Sequence, residues 1–150
     1  MARIKILSDS TCDLTPALLQ KYDITLTPLT VVKDGKSFLD GVDITPADIF
    51  AHVDGGGALC STSAVSEYEY ATFFSRYAPD YDAVVLITIG SGFSACYQNA
   101  CLAAQGFDNV FVVDSENLSS GQGLLVMEAV RLAEAGQSGE DIARALRELA

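Results

Sequence analysis

Residues 83–95 have the sequence AVVLITIGSGFSA, in which a continuous apolar and β-branched run, 83–89, leads directly into the turn Gly90-Ser91-Gly92. Such a run is typical of a strand covered by helices on both faces, because a half-exposed strand alternates apolar and polar residues instead. A helix is expected after the turn, from about Ser94 to Ala104. This segment predicts one strand, turn and helix unit of an α/β protein.

The same order occurs twice more along the chain. Each further apolar run ends in a polar turn and is followed by a segment with helix-start signals, such as the cap and first-turn proline of Thr15-Pro16. We therefore predict a single α/β domain over residues 1–150, a three-layer α/β/α fold with a mainly parallel sheet. The further strands are expected at 4–7 and 110–113, with helices from Thr15, from Ser119 to Ala135 and from Ser138 onward.

Between the first two units the pattern changes to a small β-hairpin. Asp34-Gly35 separates the partly alternating run 24–32 from the run 36–39, as a two-residue hairpin turn requires. Pro28 lies inside the first run and lacks an amide donor, which favours an edge strand or a bulge. The hairpin is expected to protrude from the sheet.

Two helices and a loop are predicted after the hairpin. Thr45-Pro46 begins a short helix to about Val53, and a glycine-rich stretch then leads into a flexible loop, residues 60–63. Ser66 and Glu69 form a capping box for a helix to about Tyr77.

Composition excludes several classes of partner. Twenty acidic residues against nine basic ones give a formal charge of −11, which repels nucleic acid and anionic membrane surfaces. The apolar runs fall far short of the about 20 residues that cross a bilayer, and the amino terminus lacks a signal-peptide pattern, so we expect a cytoplasmic protein. The four cysteines show no CxxC spacing and accompany one histidine, His52, so free thiols and no metal site are expected.

The loops that follow the predicted strands are the candidate ligand site. In parallel α/β folds ligands bind outside the carboxyl ends of the strands, where the loops carrying Ser10, Thr62, Ser91 and Asp114 are expected to converge. These loops contain hydroxyls and glycines but no lysine or arginine, whereas a P-loop needs a lysine beside its hydroxyl. A singly charged carboxylate suits them better than a triphosphate.

Two enzymatic alternatives use the same loops. Residues 90–95 match G-x-G-x-x-[GA] between a strand and a helix, and Asp114 ends the next strand 24 residues after Gly90, so a nicotinamide- or nucleotide-binding enzyme domain stays open. A serine hydrolase is less well supported. Its nucleophile motif G-x-S-x-G requires glycine where this chain has Cys96, and the one histidine, His52, precedes Ser94 in the chain instead of following it.

Four segments, in order, resemble the motif series of the DegV family of fatty-acid-binding proteins. Residues 8–14, SDSTCDL, resemble D-S-x-x-D-L, and residues 61–66, STSAVS, resemble T-S-Q-P-S. Residues 90–98, GSGFSACYQ, resemble S-S-G-L-S-G-T-Y-Q, and VDS at 113–115 with GQG at 121–123 resembles V-I-D-S…S-x-G-x-G. The chain departs from these patterns at Ala64-Val65, Gly90 and Ala95-Cys96, which alters the lining of the expected pocket.

The resemblance implies a cytoplasmic carrier without catalytic activity or cofactor, which presents a long-chain fatty acid to a separate fatty-acid kinase. It implies that the hydroxyls of Thr62 and Ser91 donate to the carboxylate and that Ser63, Gly92 and Ser94 shape the pocket. Ser10, Asp114 and Ser115 are secondary candidates. Family members also have a second lobe, which is absent from these residues, so one wall of the lipid site is expected to be open and its apolar patch to favour a homodimer.

Overall fold

The computed structural model describes residues 1–150, which form seven strands, six α-helices and two short 3₁₀ helices. The strands are β1 (Ile4–Asp9), β2 (Thr25–Thr27), β3 (Thr30–Lys33), β4 (Lys36–Leu39), β5 (Ser61–Ser63), β6 (Ala83–Thr88) and β7 (Val110–Asp114). The helices are α1 (Pro16–Lys21), α2 (Pro46–Asp54), α3 (Glu67–Tyr77), α4 (Cys96–Ala104), α5 (Ser119–Glu134) and α6 (Gly139–Leu149).

The main sheet has the strand order β2-β1-β6-β7, and all three strand pairs are parallel. The predicted mainly parallel sheet is therefore confirmed. All six residues of β6 are buried, as its uninterrupted apolar sequence indicates. The carboxyl ends of β1, β6 and β7 consequently lie side by side at one edge of the sheet.

Helices cover both faces of this sheet, and successive residues of each strand point to opposite faces. Leu7, Val84 and Leu86 pack with α3 and α4, whereas their chain neighbours Ile6, Val85 and Ile87 pack with α5 and α6. The largest fully buried aromatic side chains, Tyr70 and Phe74, belong to the α3 side. These two cores confirm the predicted three-layer arrangement.

A second, antiparallel sheet has the order β4-β3-β5. The predicted hairpin turn is confirmed: Asp34 and Gly35 have φ values of 49° and 72°, as the commonest tight hairpin turn requires at both central residues. The run 24–32, in which Pro28 favoured an edge strand or a bulge, is divided between the two sheets. Its first half forms β2 in the main sheet and its second half forms β3 in the small sheet, with Pro28 between them.

The prediction of a flexible loop over residues 60–63 was wrong in part, because Ser61–Ser63 forms strand β5. It pairs with β3, and Val31 lies opposite Thr62. All three residues of β5 are exposed, so the strand has no apolar alternation from which it could be recognised.

Helix starts follow the caps expected from the sequence, with one exception. The side chains of Thr15, Thr45, Ser66 and Ser138 each accept an amide hydrogen bond from the first turn of the following helix. The helix expected from Ser94 begins instead at Cys96, since the Ser94 hydroxyl already accepts the Cys96 amide at 3.3 Å. None of the helices combines the length and apolar content needed to cross a membrane.

Candidate functional site

The carboxyl ends of the central strands are joined through a buried carboxylate, Asp9. Its Oδ2 accepts the amide of Ile89 at 2.5 Å, and its Oδ1 accepts the amide and the hydroxyl of Thr11 at 3.1 and 2.6 Å. Asp9 is fully buried, and its hydrogen bonds compensate for the cost of desolvating a charge. The turn that begins at Gly90 is therefore held at the end of β1, because the residue before it, Ile89, is bound by Asp9.

A residue missed by the sequence reasoning, Gln122, completes this anchor from helix α5. Its Nε2 donates to Ser8 Oγ and to Asp9 Oδ1, both at 3.0 Å, and its Oε1 lies 2.7 Å from the Thr11 hydroxyl oxygen. Its sequence signal was the flanking pair of glycines. A Cβ on Gly123 would lie 2.6 Å from the Cys12 carbonyl oxygen, so glycine allows α5 to approach this turn.

The turn at the end of β6 presents Ser91 and Gly92 to solvent. The Phe93 amide donates to the Gly90 carbonyl at 2.9 Å and closes the turn, whose tip is Ser91-Gly92. The Phe93 side chain is 64% exposed beside these residues. An exposed hydroxyl and an exposed aromatic ring therefore lie together on one short turn.

Asp114 binds this turn from the end of β7. Its Oδ1 accepts the amide of Ser91 at 3.0 Å and that of Glu116 at 2.9 Å. The dinucleotide hypothesis requires this acid to bind a ribose hydroxyl, but the structure uses one of its oxygens to hold the turn. The proximity of Ser91 and Asp114 agrees with the expected convergence of their loops.

The remaining hydroxyls divide into two groups. Three are used within the protein: Ser10 accepts the Leu29 amide at 3.1 Å, Ser94 donates to Cys96 Sγ at 3.3 Å, and Ser115 donates to the Asn117 carbonyl at 2.9 Å. The hydroxyls of Thr62, Ser63 and Ser91 make no hydrogen bond within the protein, and all three residues are exposed.

Thr62 and Ser63 lie on the small sheet, and no hydrogen bond joins them to the turn of Ser91. Their strand approaches the same region indirectly, because Asn99 of α4 donates to the Val65 carbonyl at 2.9 Å. That contact places the segment after β5 against the helix that follows the Ser91 turn. The structure thus brings Ser91 and Asp114 into contact, and the Asn99 hydrogen bond links the segment that follows Thr62 and Ser63 to helix α4.

No enclosed pocket surrounds these residues. The surface has five clefts, and four of them contain none of the candidate residues. The remaining cleft, of about 470 Å³ next to α1, is bordered by one candidate residue, Ser10. Thr62, Ser91 and Gly92 therefore lie outside these clefts, and all three are exposed.

No three His, Cys, Asp or Glu side chains are grouped so that they could hold a metal ion. The four cysteines are free, and Cys12 and Cys96 are buried. His52 Nε2 lies 3.6 Å from Asp34 Oδ1 at the hairpin tip and has no hydrogen-bond partner, so it is not hydrogen-bonded to Ser94.

This fold and site define a three-layer α/β protein with a parallel sheet, in which the turn at the carboxyl end of a central strand carries the unpartnered hydroxyl of Ser91. The sequence pattern of the DegV family, described as uncharacterised proteins, matches residues 3–150. The chain belongs to the DegV family.

Relatives and solved structures agree with this assignment. The chain is 38% identical to a DegV domain-containing protein of Clostridium acetobutylicum over 144 residues, which cover 95% of this chain and 52% of that protein. A second relative, a DegV domain-containing protein of Clostridium perfringens, is 34% identical over 150 residues, which cover 99% of this chain and 54% of that protein. The chain thus spans about half the length of the curated relatives it matches.

The solved structures that resemble this one include proteins described as binding fatty acids. A fatty-acid-binding DegV family protein from Thermus thermophilus superposes with a TM-score of 0.90 at 36% identity, over 98% of this chain and 53% of that one. A stearic-acid-binding protein from Eubacterium ventriosum gives a TM-score of 0.84 at 36% identity, over 95% and 52% of the two chains. The fold of this half is therefore shared with proteins that bind fatty acids.

Proposed function

We propose that this chain is the carboxylate-binding half of a cytoplasmic fatty-acid carrier that performs no catalysis itself. The observation that carries the proposal is the set of unpartnered, exposed hydroxyls of Thr62, Ser63 and Ser91, since neighbouring candidate hydroxyls are used within the protein. Hydroxyl donors to a carboxylate make charge-assisted hydrogen bonds, which are about twice as strong as neutral ones. Family membership and the fatty-acid-binding structures support the same ligand.

In this proposal Thr62 and Ser91 donate to the two carboxylate oxygens, and Ser63, Gly92 and Ser94 shape the surface around them. Gly92 has open space where a side chain would begin, so a ligand can approach the turn closely. The Ser94 hydroxyl binds the start of α4 and acts by holding that turn in place. The acyl chain extends away from this open surface, and the exposed Phe93 ring offers it apolar contact.

The ligand is tested by solvent extraction and mass spectrometry of protein produced from the complete gene. A co-purifying long-chain acid supports the carrier. The absence of any long-chain acid, together with saturable binding of a nicotinamide dinucleotide, would favour the alternative enzyme domain.

The site is tested by titrating stearate into the Thr62→Ala and Ser91→Ala variants. Each lost charge-assisted hydrogen bond should weaken binding by about 1.5–3 kcal/mol, or roughly tenfold to 150-fold. Ser37→Ala is the matched control, because Ser37 is exposed on the opposite edge strand of the same small sheet. Equal affinities for the wild type and both site variants would remove this assignment.

Delivery to a fatty-acid kinase is the further part of the proposal. The test is an assay that contains ATP, stearate and a purified fatty-acid kinase, with and without the carrier. Acyl phosphate is expected only when the loaded carrier is present, and equal formation without it would exclude this role.

A further inference from the structure

One carboxylate, that of Asp114, holds the proposed head-group turn in place. Its Oδ1 accepts the amides of Ser91 and Glu116, one from each of two adjacent loops. The two loops are also joined by the Gly90 amide, which donates to the Asn117 carbonyl at 2.7 Å. The Ser91 amide is therefore unavailable to a ligand, and only the Ser91 hydroxyl remains.

The segment from Asp114 to the start of α5 has an unusual backbone beside this carboxylate. Glu116 and Ser119 have φ values of 51° and 54°, in the left-handed region that residues other than glycine rarely occupy. Such conformations cost free energy and persist where the surrounding structure imposes them, frequently at functional sites. Gly90 allows the close contact, since a Cβ there would lie 2.9 Å from the Glu116 carbonyl carbon.

This geometry places a negative charge close to the proposed ligand. Asp114 Oδ1 is 3.0 Å from the Ser91 nitrogen, so a ligand oxygen bonded to the Ser91 hydroxyl lies within about 9 Å of it. Arg147, on α6, donates to the Val112 carbonyl at 2.9 Å and forms no ion pair with Asp114. The Asp114 charge is thus not neutralised by a direct partner.

We propose that Asp114 is a specificity-determining residue, which makes the site accept a singly charged carboxylate and disfavour a doubly charged phosphate head group. The inference rests on the proposed function, because it concerns the same head-group site. The second charge of a phosphate, at about 9 Å from Asp114 and an effective dielectric constant of about 20–80, lowers affinity by about twofold to twentyfold. A carboxylate avoids that additional repulsion while it keeps both hydroxyl donors.

The experiment compares stearate with octadecyl phosphate as ligands of protein produced from the complete gene. At about pH 8 the alkyl phosphate is largely dianionic. Asp114→Asn keeps an oxygen acceptor for the Ser91 and Glu116 amides but removes the charge. We expect the ratio of stearate affinity to phosphate affinity to fall by about twofold to twentyfold in this variant, because loss of the charge tightens binding of the dianionic phosphate more than binding of the singly charged carboxylate.

The matched control is Asp108→Asn, which removes one negative charge from an exposed residue that forms no hydrogen bond, at the opposite end of β7. Its ratio should equal that of the wild type. If Asp114→Asn does not fold, Asp114→Ser supplies a smaller neutral acceptor for the same comparison. In addition, the wild-type ratio should fall as salt is raised from about 0.02 to 0.5 M, because screening weakens the repulsion.

The outcomes separate this inference from the proposed function. A wild-type protein that binds neither ligand contradicts the proposed function itself. A protein that binds stearate, but whose affinity ratio is the same in the folded Asp114 variant and in the Asp108 control, overturns the inference about Asp114 alone.

Discussion

Gln122 Nε2 donates to Asp9 Oδ1 at 3.0 Å, and this contact joins residues 113 positions apart in the chain. It binds helix α5 to the end of β1, while the other oxygen of Asp9 binds the Ile89 amide next to the head-group turn. Stability and the shape of the proposed site therefore depend on the same buried carboxylate.

Replacing Asp9 by alanine should destabilise the protein strongly. The change removes the acceptor of the buried Ile89 amide and one of the two acceptors of the Gln122 amide, and each unsatisfied buried donor costs about 1–3 kcal/mol, so about 2–6 kcal/mol together. Urea unfolding monitored by circular dichroism measures the loss. Asp108→Ala, at an exposed residue without hydrogen bonds, should change the free energy of unfolding by less than about 0.5 kcal/mol. Similar effects of both changes would contradict the anchoring role of Asp9.

The two glycines of the Ser91 turn should respond differently to alanine. At Gly90 a Cβ would meet the Glu116 carbonyl carbon at 2.9 Å and the Asn117 nitrogen at 3.0 Å, whereas at Gly92 it would meet nothing within 4 Å. We expect Gly90→Ala to lower the free energy of unfolding by about 1–3 kcal/mol and Gly92→Ala to leave it nearly unchanged. Thermal unfolding of both variants checks this difference, and equal melting temperatures would argue against the tight contact between the loops.

Tyr70 should make the protein sensitive to alkaline pH. Its hydroxyl is fully buried without a hydrogen-bond partner, and burial raises the pKa of Tyr70 above its ordinary value of 10.0. The folded state then keeps a proton that the unfolded state loses, so this contribution to stability is complete below about pH 10 and declines above it by up to about 1.4 kcal/mol per pH unit.

Tyr70→Phe removes this pH dependence, because phenylalanine has no proton to lose. The variant should be at least as stable as the wild type at pH 7, because no hydrogen bond is lost, and its stability should decline less steeply above pH 10. The measurement is urea unfolding over a series of pH values. The control is Tyr68→Phe, since Tyr68 is 81% exposed. The same alkaline decline in both variants would show that Tyr70 is not its source.

Lys5 should contribute to stability although it is charged. Its ammonium group donates to the Asp23 carbonyl at 2.6 Å and lies 5.0 Å from the ring centre of Tyr77, while its side chain is 3% exposed. Lys5→Ala should cost about 2–3 kcal/mol through lost packing of the buried stem and lost cation–π contact. Lys36→Ala, at an exposed residue of β4, is the matched control and should cost less than about 0.5 kcal/mol. Chemical unfolding of both variants gives the comparison.

Features that depend on neighbouring residues were predictable from the sequence. The caps at Thr15 and Ser66 and the Asp34-Gly35 turn were confirmed, because each requires particular residues only a few positions apart. The parallel sheet followed in the same way from buried strands alternating with helices. The motif order along the chain identified the family.

The division of residues 24–32 between two sheets could not be predicted in this way. Strand β2 belongs to the main sheet because it pairs with β1, and β3 belongs to the small sheet because it pairs with β4 and β5. The exposed residues Ser61–Ser63 are a strand only because they pair with β3. Backbone pairing between distant segments leaves little trace in a short polar sequence.

By itself, therefore, the sequence determined the class of fold, the family and the hydroxyl-bearing turns, since local hydrogen bonds and the spacing of apolar residues encode them. Only the tertiary structure decided which of those hydroxyls remain free. It also decided that Asp114 binds the Ser91 amide and that Gln122 binds Asp9. The physical reason is that a buried or charged group is satisfied by whichever donor the fold brings within about 3 Å, and in these pairs that donor comes from a distant part of the chain.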